Sequence, residues 1–268
     1  MKIQSPASAL SSKQVAQTQE RMNQLFDKIS SGARITKAAD DAASLAISSA
    51  MESQISALRV TRQNANEADS LVQVADVGAE QASEILGRMR ELAVQASTSS
   101  LSDADRAAAQ IEFGSLQSEL NDVATNTEFN GRAVLDGAQT FQFQVSTDSA
   151  PIEVTTTEGV SASDLGVEAS SVASQAGAQA ALAAIDEAAA KVTETRSRLG
   201  AGSARLRSVS SSIESAVENT VAANSQLRDL DMAEAISAQA RESILQQSSV
   251  AILIQANAQP QAALSLIG

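Results

Sequence analysis

The sequence predicts a mainly α protein: an elongated antiparallel helical bundle, or coiled coil, formed by both chain ends, with a small β-hairpin region between them. Three observations carry that prediction. Only 3 Pro and 12 Gly interrupt 268 residues, and a chain rich in Ala, Gln, Glu, Ser, Leu and Arg is biased toward helix. Apolar residues recur at spacings of three and four through both halves, which is the seam of packed helices. The segments are also mirrored: helix, joint and long helix at one end, then long helix, joint and helix at the other.

Composition removes whole classes of function. Lys+Arg number 19 against 32 Asp+Glu, a net charge of −13, whereas a nucleic-acid binder needs a basic face to replace counterions. Cys, His, Trp and Tyr are absent. The thiol nucleophile, the commonest general base and the usual zinc ligands are therefore all missing. No nucleophile with a base and no phosphate cradle can be assembled, so catalytic, cofactor and metal sites are each predicted as none. The hydrophobic fraction is 43%, but alanine supplies much of it and buries little area per residue. The first 15 residues are polar and Ser-rich, and Val250–Ile254 is too short to cross a bilayer. Neither a cleaved signal peptide nor a membrane span is expected.

Along the chain, Val15, Met22, Leu25 and Ile29 lie seven, three and four apart, with Thr18 filling the missing step. Residues 1–41 are therefore read as a helix followed by a joint, from Ser30-Ser31-Gly32 to Asp40-Asp41. The two aspartates are first-turn acids for the next helix, not a metal pair. A stripe through Ile55, Leu58, Ala65, Val72, Ala79, Leu86, Met89 and Ala93 predicts one helix from Ala42 to about Ser97. Ser102, Asp103 and Asp105 supply a cap and first-turn acids for a third helix, Ala104 to Asn126. Residues 42–129 thus form the N-terminal half of the bundle. Asn130-Gly131 and Asp136-Gly137 are turn dipeptides, and Phe141, Phe143 and Val145 alternate with glutamines. A second alternating run, Ile152, Val154 and Thr156, follows a turn near Asp148 to Pro151, making 130–157 the β-hairpin region.

Residues 158–177 have no clear period and are read as a connector. The longest seam, Leu182, Ile185, Val192, Leu199, Leu206, Val209, Ile213, Val217, Leu227 and Leu230 among others, predicts a helix over 178–231 of about 80 Å at 1.5 Å per residue. The last segment, 232–268, carries Ile236, Ile244 and Ile254 on a final helix that Pro260 is expected to end. The inner seam of the two chain ends is then Val15, Met22, Leu25, Ile29, Ile236, Ile244 and Ile254. Ordering an end costs about 1–2 kcal/mol per residue, while each of its few bulky side chains returns at most about 1.5–3 kcal/mol. Each end is expected to fold only against the other and against further copies.

Four runs in this order and spacing resemble bacterial flagellin, the filament subunit of the flagellum. They are ERMNQLFDKISSGARITKAADDAASLAI from Glu20, with Arg62-Gln63-Asn64-Ala65-Asn66; ILGRMRELAVQA from Ile85, with Thr127 to Gly131; RSRLGAGSARL from Arg196; and ILQQSSVAILIQANAQPQAALSLIG from Ile244. The resemblance implies a subunit whose paired terminal helices line the inner tube of a helical filament, with the longer helices around it. It is similar to a minimal form, since only the short connector stands where large variable outer domains are usual. The resemblance further implies a homo-polymer that serves swimming motility, and export through the type III flagellar apparatus without a cleaved signal to the extracellular flagellum. It also implies an export chaperone on the C-terminal helices, and filament cap and hook-junction proteins as neighbours. Arg88, Leu92 and Glu112 occupy positions where family members are contacted by Toll-like receptor 5; subunit packing is their primary reading and receptor contact the secondary one. The rival functions are a hook-filament junction protein and, in another class, a signalling coiled coil, which ordinarily needs a membrane span.

Overall fold

In a computed structural model that describes residues 6–146, 151–156 and 159–267, five helices and two strand pairs are found among the described residues. They are α1 (Pro6–Ser31), α2 (Ala42–Ala96), α3 (Asp103–Asn126), β1 (Glu128–Phe129), β2 (Arg132–Ala133), β3 (Gln139–Phe143), β4 (Ile152–Thr156), α4 (Gln175–Arg228) and α5 (Met232–Ile267). α1 opens on Pro6, where the absent N–H is one the helix leaves unbonded anyway. α3 begins at its predicted cap: Asp105 N donates to Ser102 Oγ over 3.2 Å. α5 departs from expectation, running through Pro260 to Ile267. The proline ring removes one hydrogen bond, that to the carbonyl four residues back, and the helix resumes after it.

Contacts divide the chain into two compact units, residues 1–55 with 218–268, and Ser56–Val217. The second holds the large core. α2 and α4 run antiparallel there, since partners descend on one helix as they climb on the other: Arg90 with Asp186 at 2.8 Å, Asp76 with Arg196 at 3.0 Å, Asp69 with Ser203 at 2.6 Å. Between them lie Leu71, Val72, Leu86, Met89, Ile185, Val192 and Leu206, with Phe113 and Leu120 of α3, all fully or nearly fully buried. Alanines on the same stripes, from Ala65 to Ala96, let the helices approach closely.

β1 and β2 pair antiparallel across Asn130-Gly131. Both turn residues are left-handed, at φ 53° and 74°, as a two-residue hairpin of that dipeptide requires. β3 and β4 pair antiparallel from Gln139↔Thr156 to Phe143↔Ile152; the predicted turn between them, at 148–150, lies outside the described residues. The first hairpin is pressed onto α2 at Gly78, where an added Cβ would meet Leu135 Cδ1 and Thr127 Oγ1 at 2.6 Å. The connector is not structureless. Val160, Ala162, Leu165, Val167 and Val172 are buried, and three amides of α3 staple the backbone: Gln117 Nε2 donates to Val167 O at 2.7 Å, Ala162 N to Asn121 Oδ1 at 2.9 Å, and Val172 N to Gln110 Oε1 at 2.6 Å.

Candidate assembly surface

The unit containing both chain ends is built differently. α1 packs on α5, and the partners Arg21 with Glu242 at 3.8 Å and Gln19 with Gln246 set them antiparallel. Val15, Met22, Leu25 and Ile29 are half-buried on the α1 face, and Thr18, at 5% exposure, fills its step in the stripe with Oγ1 bonded to Gln14 O at 2.9 Å. What α5 offers in return is a stripe of Ala235, Ala238, Glu242, Ser243, Gln246 and Ser249, with Leu253 and Ala256. Most of its bulky residues point elsewhere. Ile236, Ile244 and Ile254 are 52%, 64% and 64% exposed, and Leu245, Val250 and Ile252 are exposed beside them. At 100° per residue these six are spread over the remaining faces of the helix. A helix apolar nearly all round belongs in an interior, and a single chain does not provide one. α1 leaves Leu10 and Phe26 exposed as well. Glu242 is largely covered, yet its Oε2 is buried without a hydrogen-bond partner, a state that native structures seldom leave unresolved.

The joints lock this pair in place. Asp40 Oδ2 accepts from Thr36 N, Thr36 Oγ1 and Lys37 N at 3.2, 3.1 and 3.2 Å, and Lys28 lies 3.9 Å from the other oxygen. Asp41 Oδ1 accepts from Ala43 N and Ser44 N at 3.1 and 3.0 Å, so it caps α2. Asp231 does the same for α5, accepting from Ala233 N and Glu234 N. Of the two aspartates read together in the sequence, only Asp41 serves the helix; Asp40 closes the turn before it. Backbone donors from Thr36, then Lys37, hold the Asp40 carboxyl below its ordinary 3.8. Ser44, through its hydroxyl and then its N–H, lowers Asp41.

A depressed carboxylate contributes stability that is fully present above the unfolded value and lost as pH falls through the lower folded one. Amide protection at Thr36 and Lys37 is therefore expected to hold from neutral pH down to about 4 and to fall below it. In Asp40→Asn that acid step should vanish; hydrogen exchange read by NMR at several pH values checks this, and an identical step in the variant would remove Asp40 from the account.

The three positions linked by resemblance to a receptor lie in the other unit. Arg88 Nε and Nη2 donate to Glu112 Oε1 at 2.9 and 2.7 Å, and Nη1 to Glu91 Oε2 at 2.7 Å. Those bonds, Glu112 first, hold the guanidinium above its usual value. Leu92 is buried in the core; Arg88 and Glu112 are exposed together and Leu92 is not with them. Among the described residues there is no group of three or more acidic side chains placed to hold a metal, and no helix long and apolar enough to cross a membrane.

Two family models match, the bacterial flagellin N-terminal helical region over residues 4–140 and the C-terminal helical region over 182–267. A flagellin of Halalkalibacterium halodurans is 41% identical over 245 residues, 90% of each chain. Among solved structures, Bacillus cereus flagellin superposes with a TM-score of 0.50 at 24% identity over 56% of this chain and 88% of that one. A putative flagellar hook-associated protein from Vibrio parahaemolyticus gives 0.60 at 15% identity, over 71% of this chain and all of that one. At those identities the two structures speak for the fold alone.

Proposed function

The chain belongs to the bacterial flagellin family, structural subunits that polymerise into the flagellar filament for motility, and from that premise we propose that the outer faces of the α1–α5 pair are the surface each copy buries against its neighbours. The observation that carries this is the exposure of Ile236 and Ile254 on one side of α5 and of Leu245 and Ile252 on nearly the opposite side. A single flat contact would cover one side and leave the others wet, so α5 calls for more than one neighbour. Contacts between unlike surfaces whose rotation does not close produce an open helical polymer.

The same apolar faces need a cover before assembly, and an export chaperone gripping Ala233 to Leu266 supplies it. The subunit leaves the cell unfolded through the flagellar type III apparatus and joins the filament between the hook-junction proteins and the cap. Arg88 and Glu112, exposed and bonded to each other, are the part of the receptor-linked trio that Toll-like receptor 5 meets on the monomer; Leu92 supports α2 from within. The family match lends nothing to the junction-protein or signalling alternatives. Electron microscopy of purified protein after heating and cooling tests the proposal. Long filaments are expected; short caps, or no polymer under any condition that leaves the protein folded, would overturn it.

A further inference from the structure

We propose that the two joints form one clasp, in which Arg34 caps the end of α4 from the other end of the chain, so that α1 and α5 gain and lose order as a single event. Arg34 N donates to Arg228 O at 2.7 Å, Leu230 N donates to Gly32 O at 3.0 Å, and Ala33 faces Asp229 between them as an antiparallel bridge. The last carbonyls of a helix have no partner within it. Here Leu227 O receives Arg34 Nη2 at 2.7 Å and Arg228 O receives the Arg34 backbone. One residue therefore satisfies two carbonyls of α4 and places its cationic side chain at the negative end of that helix. Ile35 and Ala33 are buried in the same place. Ser48 Oγ to Asn224 Oδ1 at 2.7 Å, and Arg228 to Glu52, tie the adjoining turns of α2 and α4. A ladder of this kind needs both strands. Neither joint keeps its hydrogen bonds if the other is loose, and the helices that leave them, α1 and α5, are held at close range only while both are engaged.

The proposal rests on the reading that the ends order on assembly, and its test separates the two. Ala33 and Asp229 form the non-hydrogen-bonded kind of antiparallel pair, with Cα atoms about 4.5 Å apart, a spacing that a disulfide spans. The chain has no cysteine of its own, so Ala33→Cys/Asp229→Cys gives one unambiguous bridge. Oxidised with a glutathione couple, monomeric double variant is expected to show a higher 222 nm helical signal than the same protein reduced, because α1 and α5 hold 26 and 36 of the 268 residues. No rise on oxidation would overturn the coupling, and this comparison needs no polymer. In filaments the bridge should form and locked subunits should still add; a variant that polymerises reduced but not oxidised would show the joints apart in the filament and overturn the clasp. In filaments of Arg34→Ala, exchange at the Leu230 amide, 196 positions away along the chain, is expected to rise at least tenfold; no change would overturn the capping role. Failure of the wild-type chain to form filaments would instead strike the functional reading.

Discussion

Removal of residues 1–31 is expected to abolish filament formation while leaving the α2–α3–α4 core folded, and removal of 232–268 to do the same. The separation follows from where burial lies. Among the described residues the contiguous core runs from Ala65 to Leu206 and draws no side chain from α1 or α5, so neither truncation opens a cavity in it. The terminal unit has few fully buried side chains, chiefly Ala33, Ile35, Thr18, Ser48, Ile55 and Ala235, and its large apolar groups face outward. Deleting α1 strips α5 of the helix that it packs on among the described residues. What remains is an isolated helix, marginal in water, whose surviving Ile and Leu side chains return less than the roughly 1–2 kcal/mol per residue that ordering costs. Sedimentation shows polymer, and calorimetry shows the core transition. Both truncated chains should sediment as monomers with a core melting temperature within a few degrees of the full chain.

Phe113→Ala is expected to act the opposite way, lowering the stability of the core by about 3–5 kcal/mol, the cost of a buried aromatic truncated to alanine. Phe113 is among the largest side chains with no exposure and sits in the shared cluster of α2, α3 and α4. α3 anchors the 159–172 strap through Gln110, Gln117 and Asn121, so loosening it frees Val160, Leu165 and Val167 as well. Chemical denaturation of monomer measures the loss. Below the new melting temperature the variant should still polymerise, since it leaves the terminal faces untouched. A loss under 1 kcal/mol would mean that α3 is not part of the cooperative core.

Much of this was legible in the sequence because helices announce themselves at their ends. Ser102 and Asp41 are side chains that bond the first free N–H groups; Ser102 caps α3 as predicted, and Asp41, read as a first-turn acid, lies just before α2 and caps it. Asn130-Gly131 likewise signals a left-handed turn. The strap was not legible, since its apolar residues have neither helical nor strand period; they are buried where amides at 110, 117 and 121 on α3, spaced by seven and four, meet its backbone. Pro260 misled because one proline costs a helix one bond, which a long helix absorbs. The orientation of α5 is hidden in one dimension, for a helix apolar on most sides has no single face to read. Arg34 gave no signal at all, its partners being carbonyls 193 and 194 positions away.

The claim beneath the rest is that the α1–α5 pair is completed by other copies. Far-UV circular dichroism of the same preparation, first as monomer and then as filament, tests it most directly. Helical signal is predicted to rise on polymerisation by an amount approaching the share of α1 and α5 in the chain. Equal helix content in the two states would contradict it, because the ends would then hold their fold with their isoleucines in water.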